Sequence, residues 1–276
     1  MREVKIRVIA AAALLPLLLV VVLVLPKICT AILFGLMAAI AAFELMWGTG
    51  LVKHPRLLLY AALMAVAVSI WCAYGVIYPW AALGLFVFTG LVFSELLISH
   101  TKLPFDKIAI TFMAGIVIPL MMGALVRLIS LGQGRFYILI PFVIAFLSDT
   151  GAYFAGYFFG KHKLAPVISP KKTVEGLVGG VAGAIVGMIL YCLVLQTAFD
   201  FSVNYGFAII YGIFGSLAAV FGDLCFSAIK RQTGIKDYGN LIPGHGGILD
   251  RFDSMTIVAP LVELLMSLIP VAVKLW

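Results

Sequence analysis

Charge is scarce in this sequence. Asp, Glu, Lys and Arg make up 11% of its 276 residues against 64% apolar ones, and the mean hydropathy is +1.18. Soluble domains carry about 25% charged residues, so the composition excludes an ordinary soluble globular protein. Acid is the scarcer sign, 12 Asp and Glu against 19 Lys and Arg, which leaves a net charge of +7 and a pI near 9.3. Cysteine is also sparse: Cys29, Cys72, Cys192 and Cys225 stand singly in apolar stretches. None has metal-ligand or redox spacing, and each reads as a small buried hydrophobe. A Walker A motif is missing, because Gly160-Lys161 is followed by His162, which excludes a P-loop NTPase. No internal repeat is visible, and this argues against a secondary transporter built from paired repeats.

What the chain has instead is long apolar runs. Crossing the hydrocarbon core takes about 20 mostly apolar residues, and nine stretches qualify, at roughly 7–25, 28–47, 57–77, 79–98, 108–130, 136–158, 174–196, 205–226 and 254–274. The sequence therefore predicts an all-α polytopic membrane protein with about nine transmembrane helices. The first run is long for a cleaved signal peptide and eight more follow, so it is expected to be retained. Orientation follows the placement of Lys and Arg. With the N-terminus in the cytoplasm and the C-terminus on the opposite side, only Lys27, Arg127, Arg135 and Lys274 of the 19 fall outside. The cytoplasmic basic surface is suited to anionic lipid head groups, or serves as the topology signal alone.

The two halves differ in character. Residues 1–140 read as a helical scaffold with short loops, and residues 141–276 as a catalytic half. Glu44 and Glu95 are the scaffold's exceptions. Each lies near the cytoplasmic end of its span, where snorkelling is cheap, and is read as structural. Gly179, Gly183 and Gly187 share one face of the seventh span at four-residue spacing, which lets a neighbouring backbone approach closely. The neighbour is another span or a second protomer.

Between spans six and seven the loop reads GKHKLAPVISPKKTVEG, residues 160–176. Ser169 followed by Pro170 predicts a helix start, with Ser as N-cap and Pro at the first helical position. Lys171 and Lys172 would then occupy the first turn, where the helix dipole disfavours cations. A phosphate or carboxylate bound there resolves the conflict.

The densest polar run, residues 227–254, lies between two apolar segments and holds four basic residues, three aspartates, a histidine and five glycines. Ionisable groups packed beside a bilayer mark a functional site. Asp149 sits near the end of span six, and Asp223, Ser227 and Lys230 share a helix face at the end of span eight. Asp250 and Asp253, three apart, share a face as span nine begins. Carboxylates crowded at helix ends need cations: Lys230, Arg231 and Arg251 as ion pairs, or Mg²⁺, which suits hard oxygen ligands. Gly239, Gly244, Gly246 and Gly247 let the backbone approach a ligand closely, and His245 lies among them as a ligand, phosphate donor or acid/base. Carboxylates, cations and glycines together describe phosphoryl or nucleotidyl transfer.

Residues 227–253 resemble the signature of the phosphatidate cytidylyltransferases (CDP-diacylglycerol synthases). The matching positions are Ser227, Lys230, Arg231, Lys236, Asp237, Gly239, Pro243, His245, Gly246, Gly247, Asp250, Arg251 and Asp253. The stretch 148–176, SDTGAY…GK…SPKKTVEG, is also similar to that family. The resemblance implies transfer of CMP from CTP to phosphatidate, with pyrophosphate released, at the cytoplasmic face of a bacterial inner membrane. It further implies Mg²⁺, a monovalent cation (K⁺) in the site and a homodimer, with Asp223 and Asp250 as metal ligands and Asp149 as a third candidate. Lys230, Arg231, His245, Arg251 and Asp253 are the candidate catalytic residues. Lys161, Lys163, Ser169, Lys171, Lys172, Thr173, Lys236, Gly246 and Gly247 are the candidates for binding substrate. A CTP-dependent lipid kinase of the polyprenol type is the alternative that the residue chemistry also suits, and a transporter the more distant one.

Overall fold

The structure is a computed structural model that describes residues 12, 16–75, 78–99, 103–241, 244 and 246–275. The first part of the first expected span, residues 7–11 and 13–15, along with Lys102, Pro243 and His245, lies outside these residues. After a helical stretch at 16–23, α1 (Lys27–Phe43) continues into a π-helical turn at Glu44–Gly48, followed by α2 (Pro55–Tyr74) and α3 (Tyr78–Ile98). Helix α4 (Phe105–Phe112) runs through a second π-turn, Met113–Val117, into α5 (Ile118–Ile129), and α6 (Gly134–Tyr137) leads to α7 (Leu139–Phe159). The strands β1 (Lys163–Ala165) and β2 (Ser169–Thr173) precede α8 (Val174–Phe199), β3 (Phe201–Val203) and α9 (Tyr205–Gln232). The last elements are α10 (Leu249–Phe252), α11 (Met255–Leu268) and β4 (Ala272–Lys274).

The protein is a mostly helical polytopic membrane protein. Among the described residues, seven helices are long and apolar enough to cross a bilayer: Lys27–Gly48, Pro55–Tyr74, Pro79–Ile98, Phe105–Ile129, Gly134–Phe159, Val174–Phe199 and Tyr205–Gln232. Short strands join the helices where hairpins form, so the fold is not purely α as the sequence predicts.

The chain divides into two compact units, Met1–Gly132 with Lys230–Phe252 and Gln133–Ile229 with Asp253–Trp276. In the first, α1 packs on α2 through small side chains. A Cβ on Gly35 would meet Ser69 Cβ at 3.3 Å and Val66 Cα at 3.4 Å, while Ala31, Phe34, Ala38 and Ala41 of α1 are fully buried, as are Ala61 and Ala65 of α2. Between helices in lipid the attraction comes from close packing rather than water exclusion, and small residues permit it. Glu95, near the end of α3, accepts from Arg56 Nη1 at 3.2 Å and Tyr60 OH at 3.3 Å, with His54 Nε2 at 3.7 Å. These partners lie at the start of α2.

In the second unit α7 and α8 are in backbone contact. A Cβ on Gly179 would lie 2.7 Å from Gly151 O, one on Gly183 3.2 Å from Gly151 Cα, and one on Gly187 2.8 Å from Leu147 Cγ. The glycine face of the seventh span is thus taken by the sixth. The expected ninth span, 254–274, is helical only as far as Leu268. Pro270 follows, and the residue before a proline is driven out of the α region: Ile269 has φ −140° and ψ 72°. The chain nonetheless runs antiparallel to α9 along most of its length. It begins beside Gly222, whose Cβ would lie 2.8 Å from Asp253 O. It ends where Asn204 N donates to Val271 O at 2.9 Å and β4 pairs with β3. Fourteen residues of α11 reach about 21 Å, and the extended end covers the rest.

Candidate functional site

The polar residues singled out by the sequence form two clusters, one in each unit. In the first unit the centre is Asp250. Its Oδ1 pairs with Lys230 Nζ at 2.9 Å, and its Oδ2 accepts from Tyr238 N at 2.8 Å and Gly247 N at 3.0 Å. Lys230 and Asp250 are 9% and 7% exposed, and the ammonium lies 5.3 Å from the centre of the Tyr238 ring. Local sequence explains how the chain gets there. Gly234 (φ +71°) takes the left-handed conformation that closes α9, with Gly234 N donating to Arg231 O and Ile235 N to Lys230 O. Gly246 (φ +85°) turns the loop back, and a Cβ there would lie 2.9 Å from Asp250 Oδ2. Only glycine fits both the angle and the space.

The sequence reading missed one member of this cluster. Glu44, the first residue of the π-turn after α1, is 4% exposed. Its Oε1 accepts from Ile248 N at 3.0 Å and its Oε2 from Leu249 N at 2.7 Å. It does not snorkel to the interface. The available signal was the cost of burying a carboxylate in an apolar span, which demands partners, but nothing local says that those partners are 204 residues away.

In the second unit the centre is Asp223 on α9. Its Oδ2 pairs with Lys172 Nζ at 2.5 Å, and its Oδ1 accepts from Ser227 Oγ at 3.0 Å. The contact at Gly222 sets Asp253 and Ser254 against the same helix, and Asp253 Oδ1 accepts from Ser254 N at 2.7 Å. Lys172 belongs to a hairpin, which corrects the expected helix start at Ser169. Residues 169–173 are strand β2, and Thr173 is the N-cap of α8, its Oγ1 accepting from Gly176 N at 3.0 Å. Lys171 and Lys172 therefore precede the helix, and the first turn carries Glu175, the sign its dipole favours. Glu175 also accepts from Lys161 N at 3.1 Å, His162 N at 3.2 Å and His162 Nδ1 at 2.6 Å, closing the hairpin base. The dipole conflict that suggested an anion at a helix N-terminus is removed by this geometry.

Lys161, Lys163 and Lys171 are exposed on the hairpin, and Arg231, Lys236 and Arg251 on the 230–252 segment. Ser169 lies on β2, and Asp149 is exposed on α7. Among the described residues no three His, Cys, Asp or Glu side chains gather as a metal cluster. Asp250 and Asp223 offer hard carboxylate oxygens, the donor type Mg²⁺ takes, and both are neutralised by lysine ammonium groups. A carboxylate has about four acceptor sites; Asp250 uses three and Asp223 two in the contacts above. The donor chemistry fits the ion, most readily at Asp223, whose side chain is 33% exposed.

Comparison with known proteins agrees with this chemistry. A phosphatidate cytidylyltransferase of Staphylococcus saprophyticus is 47% identical over 134 residues, 49% of this chain and 50% of that protein. One of Staphylococcus epidermidis is 40% identical over 183 residues, 66% of this chain and 68% of that protein. One of Staphylococcus aureus is 46% identical over 138 residues, 49% and 50% of the two chains. The match thus spans half the length of two of these relatives and about two thirds of the third. The model of the cytidylyltransferase family covers residues 5–269, both clusters included, and on that extent the chain belongs to the cytidylyltransferase family.

Proposed function

We propose that this protein transfers CMP from CTP to phosphatidate, giving CDP-diacylglycerol and pyrophosphate. The observation that carries the reading is the buried Lys230–Asp250 pair at the centre of an intact glycine-rich signature, in a chain whose similar proteins bear that name. A phosphatidate oxygen attacks the α-phosphorus of CTP, a P–O bond forms, and the bond to the leaving pyrophosphate breaks. A phosphate monoester is largely ionised at neutral pH, so no strong general base is required. Lys230, Arg231 and Arg251 offset charge on the phosphates, His245 positions them, and Asp253 completes the set. Gly246 and Gly247 let backbone approach the nucleotide. Lys161, Lys163, Ser169, Lys171, Lys172, Thr173 and Lys236 bind the anionic substrates. Asp223 and Asp250, with Asp149 as a further one, are the candidate ligands for Mg²⁺, which would neutralise nucleotide phosphates; K⁺ would be a second cation.

The reading extends to topology. The chain crosses a bacterial inner membrane nine times with its N-terminus and both clusters on the cytoplasmic side, and works as a homodimer. A single cysteine at position 167 or 240 should react with impermeant thiol reagents only from the cytoplasm, and one at 133 only from outside. Equal accessibility at all three overturns the orientation. For the reaction, purified protein in detergent with labelled CTP should place cytidylate on phosphatidate and release pyrophosphate in equal amount. Phosphate appearing on a polyprenol, with no cytidylated lipid, would overturn it in favour of a lipid kinase.

A further inference from the structure

Among the described residues, Glu44 and Glu95 are the two carboxylates buried in the N-terminal helices, and their surroundings separate them. Glu95 is met by side chains of the helix beside it, Arg56 and Tyr60. Among the described residues, Glu44 takes no side-chain hydrogen bond. Each of its oxygens accepts one backbone amide, Ile248 N and Leu249 N, from the loop that carries Asp250.

The π-turn makes this possible. Residues 44 and 48 lie on the side of the turn that faces the loop. A Cβ on Gly48 would collide with Tyr238 O, one on Gly239 would lie 2.5 Å from Glu44 Oε1, and one on Gly247 would overlap the Glu44 carboxylate. Two of the signature glycines, 239 and 247, are therefore glycine because Glu44 occupies the space beside them. Asp250 closes the same loop from within through Tyr238 N and Gly247 N. Segment 247–250 is thus held between two carboxylates, one of which also holds Lys230. With the amides of 247–249 held, the backbone that leads into Asp250 is fixed, and its carboxylate meets Lys230 Nζ, Tyr238 N and Gly247 N.

We propose that Glu44 is a positioning residue for the reaction, acting through the backbone of residues 247–249 to aim Asp250 and, through it, Lys230. This rests on the function proposed above. Misplacement of reacting groups by about 1 Å can cost about 10²-fold in rate. In Glu44→Gln the shape is kept, but the charge is lost and one amide faces an NH₂ in place of an oxygen. Glu44→Asp keeps the charge on a shorter stem. Glu95→Gln is the control for simple loss of a buried carboxylate.

The test uses purified full-length protein with CTP and phosphatidate, and hydrogen exchange read at residues 247–250. Glu44→Gln should lower kcat about 10²-fold with much smaller changes in KM, and Glu44→Asp should fall between it and wild type. Both should speed exchange at 247–250. Glu95→Gln should lower thermal stability with kcat per folded molecule unchanged and exchange at 247–250 as in wild type. A Glu44→Gln protein with wild-type kcat overturns the proposal, as does one whose activity loss only tracks its folded fraction. If wild-type protein makes no cytidylated lipid, the function proposed above fails, and exchange at 247–250 still judges the clamp: unchanged protection in Glu44→Gln overturns it.

Discussion

Lys230–Asp250 and Lys172–Asp223 are the same ion pair in chemical terms, and they sit in opposite circumstances. The first is sealed, with side chains 11% and 2% exposed, and its aspartate also accepts two backbone amides. The second is open, at 24% and 33%, and its aspartate also accepts from the Ser227 hydroxyl. A buried pair is costly to assemble, and removing one member is worse, because a charge is left uncompensated. An exposed pair is worth about 0–1 kcal/mol and can exchange its partner. The sealed pair is suited to hold a loop in shape, and the open pair to trade a lysine for a ligand.

The largest effect should come from Asp250→Asn. It strips the counter-charge from buried Lys230, which typically costs about 3–5 kcal/mol of stability, and turnover should fall by about 10²–10³-fold. Thermal unfolding and steady-state assays across a Mg²⁺ titration read both. Wild-type unfolding and turnover in this variant would erase the distinction between the pairs. Asp223→Asn comes next and splits the two readouts: a comparable rate loss of about 10²-fold, with stability changed by no more than about 1 kcal/mol. Equal destabilisation by both substitutions would mean that the open pair is as structural as the sealed one. Smallest is the contrast within the hairpin. Lys172→Ala should raise apparent KM for CTP or phosphatidate by about ten- to 150-fold, the worth of a charge-assisted phosphate contact. Lys171→Ala, whose side chain points to the other face of β2, should do less. Wild-type kinetics for both at physiological salt would reduce these lysines to a topology signal.

Much of this protein is legible in its sequence, and the failures are instructive. Apolar runs locate the membrane helices because a span is defined by length and composition, both local. Ser169-Pro170 misled because that dipeptide also opens a strand; pairing of residues 163–165 with 169–173 moves the cap to Thr173. Glu44 and Glu95 look alike in the sequence, since each is one acid in an apolar helix. Only one of them reaches the signature.

By itself the sequence determined that the chain crosses a membrane repeatedly, and which residues are the candidates for its chemistry, because hydropathy and residue type are properties of each short segment. Tertiary structure alone decided that Asp250 is sealed, Asp223 open and Glu44 the clamp on the loop. Those outcomes depend on which polar atoms meet across the fold, 20 residues apart for Lys230 and Asp250 and 204 for Glu44 and Ile248, and the need to satisfy such atoms in an apolar interior is what selects among the packings the sequence allows.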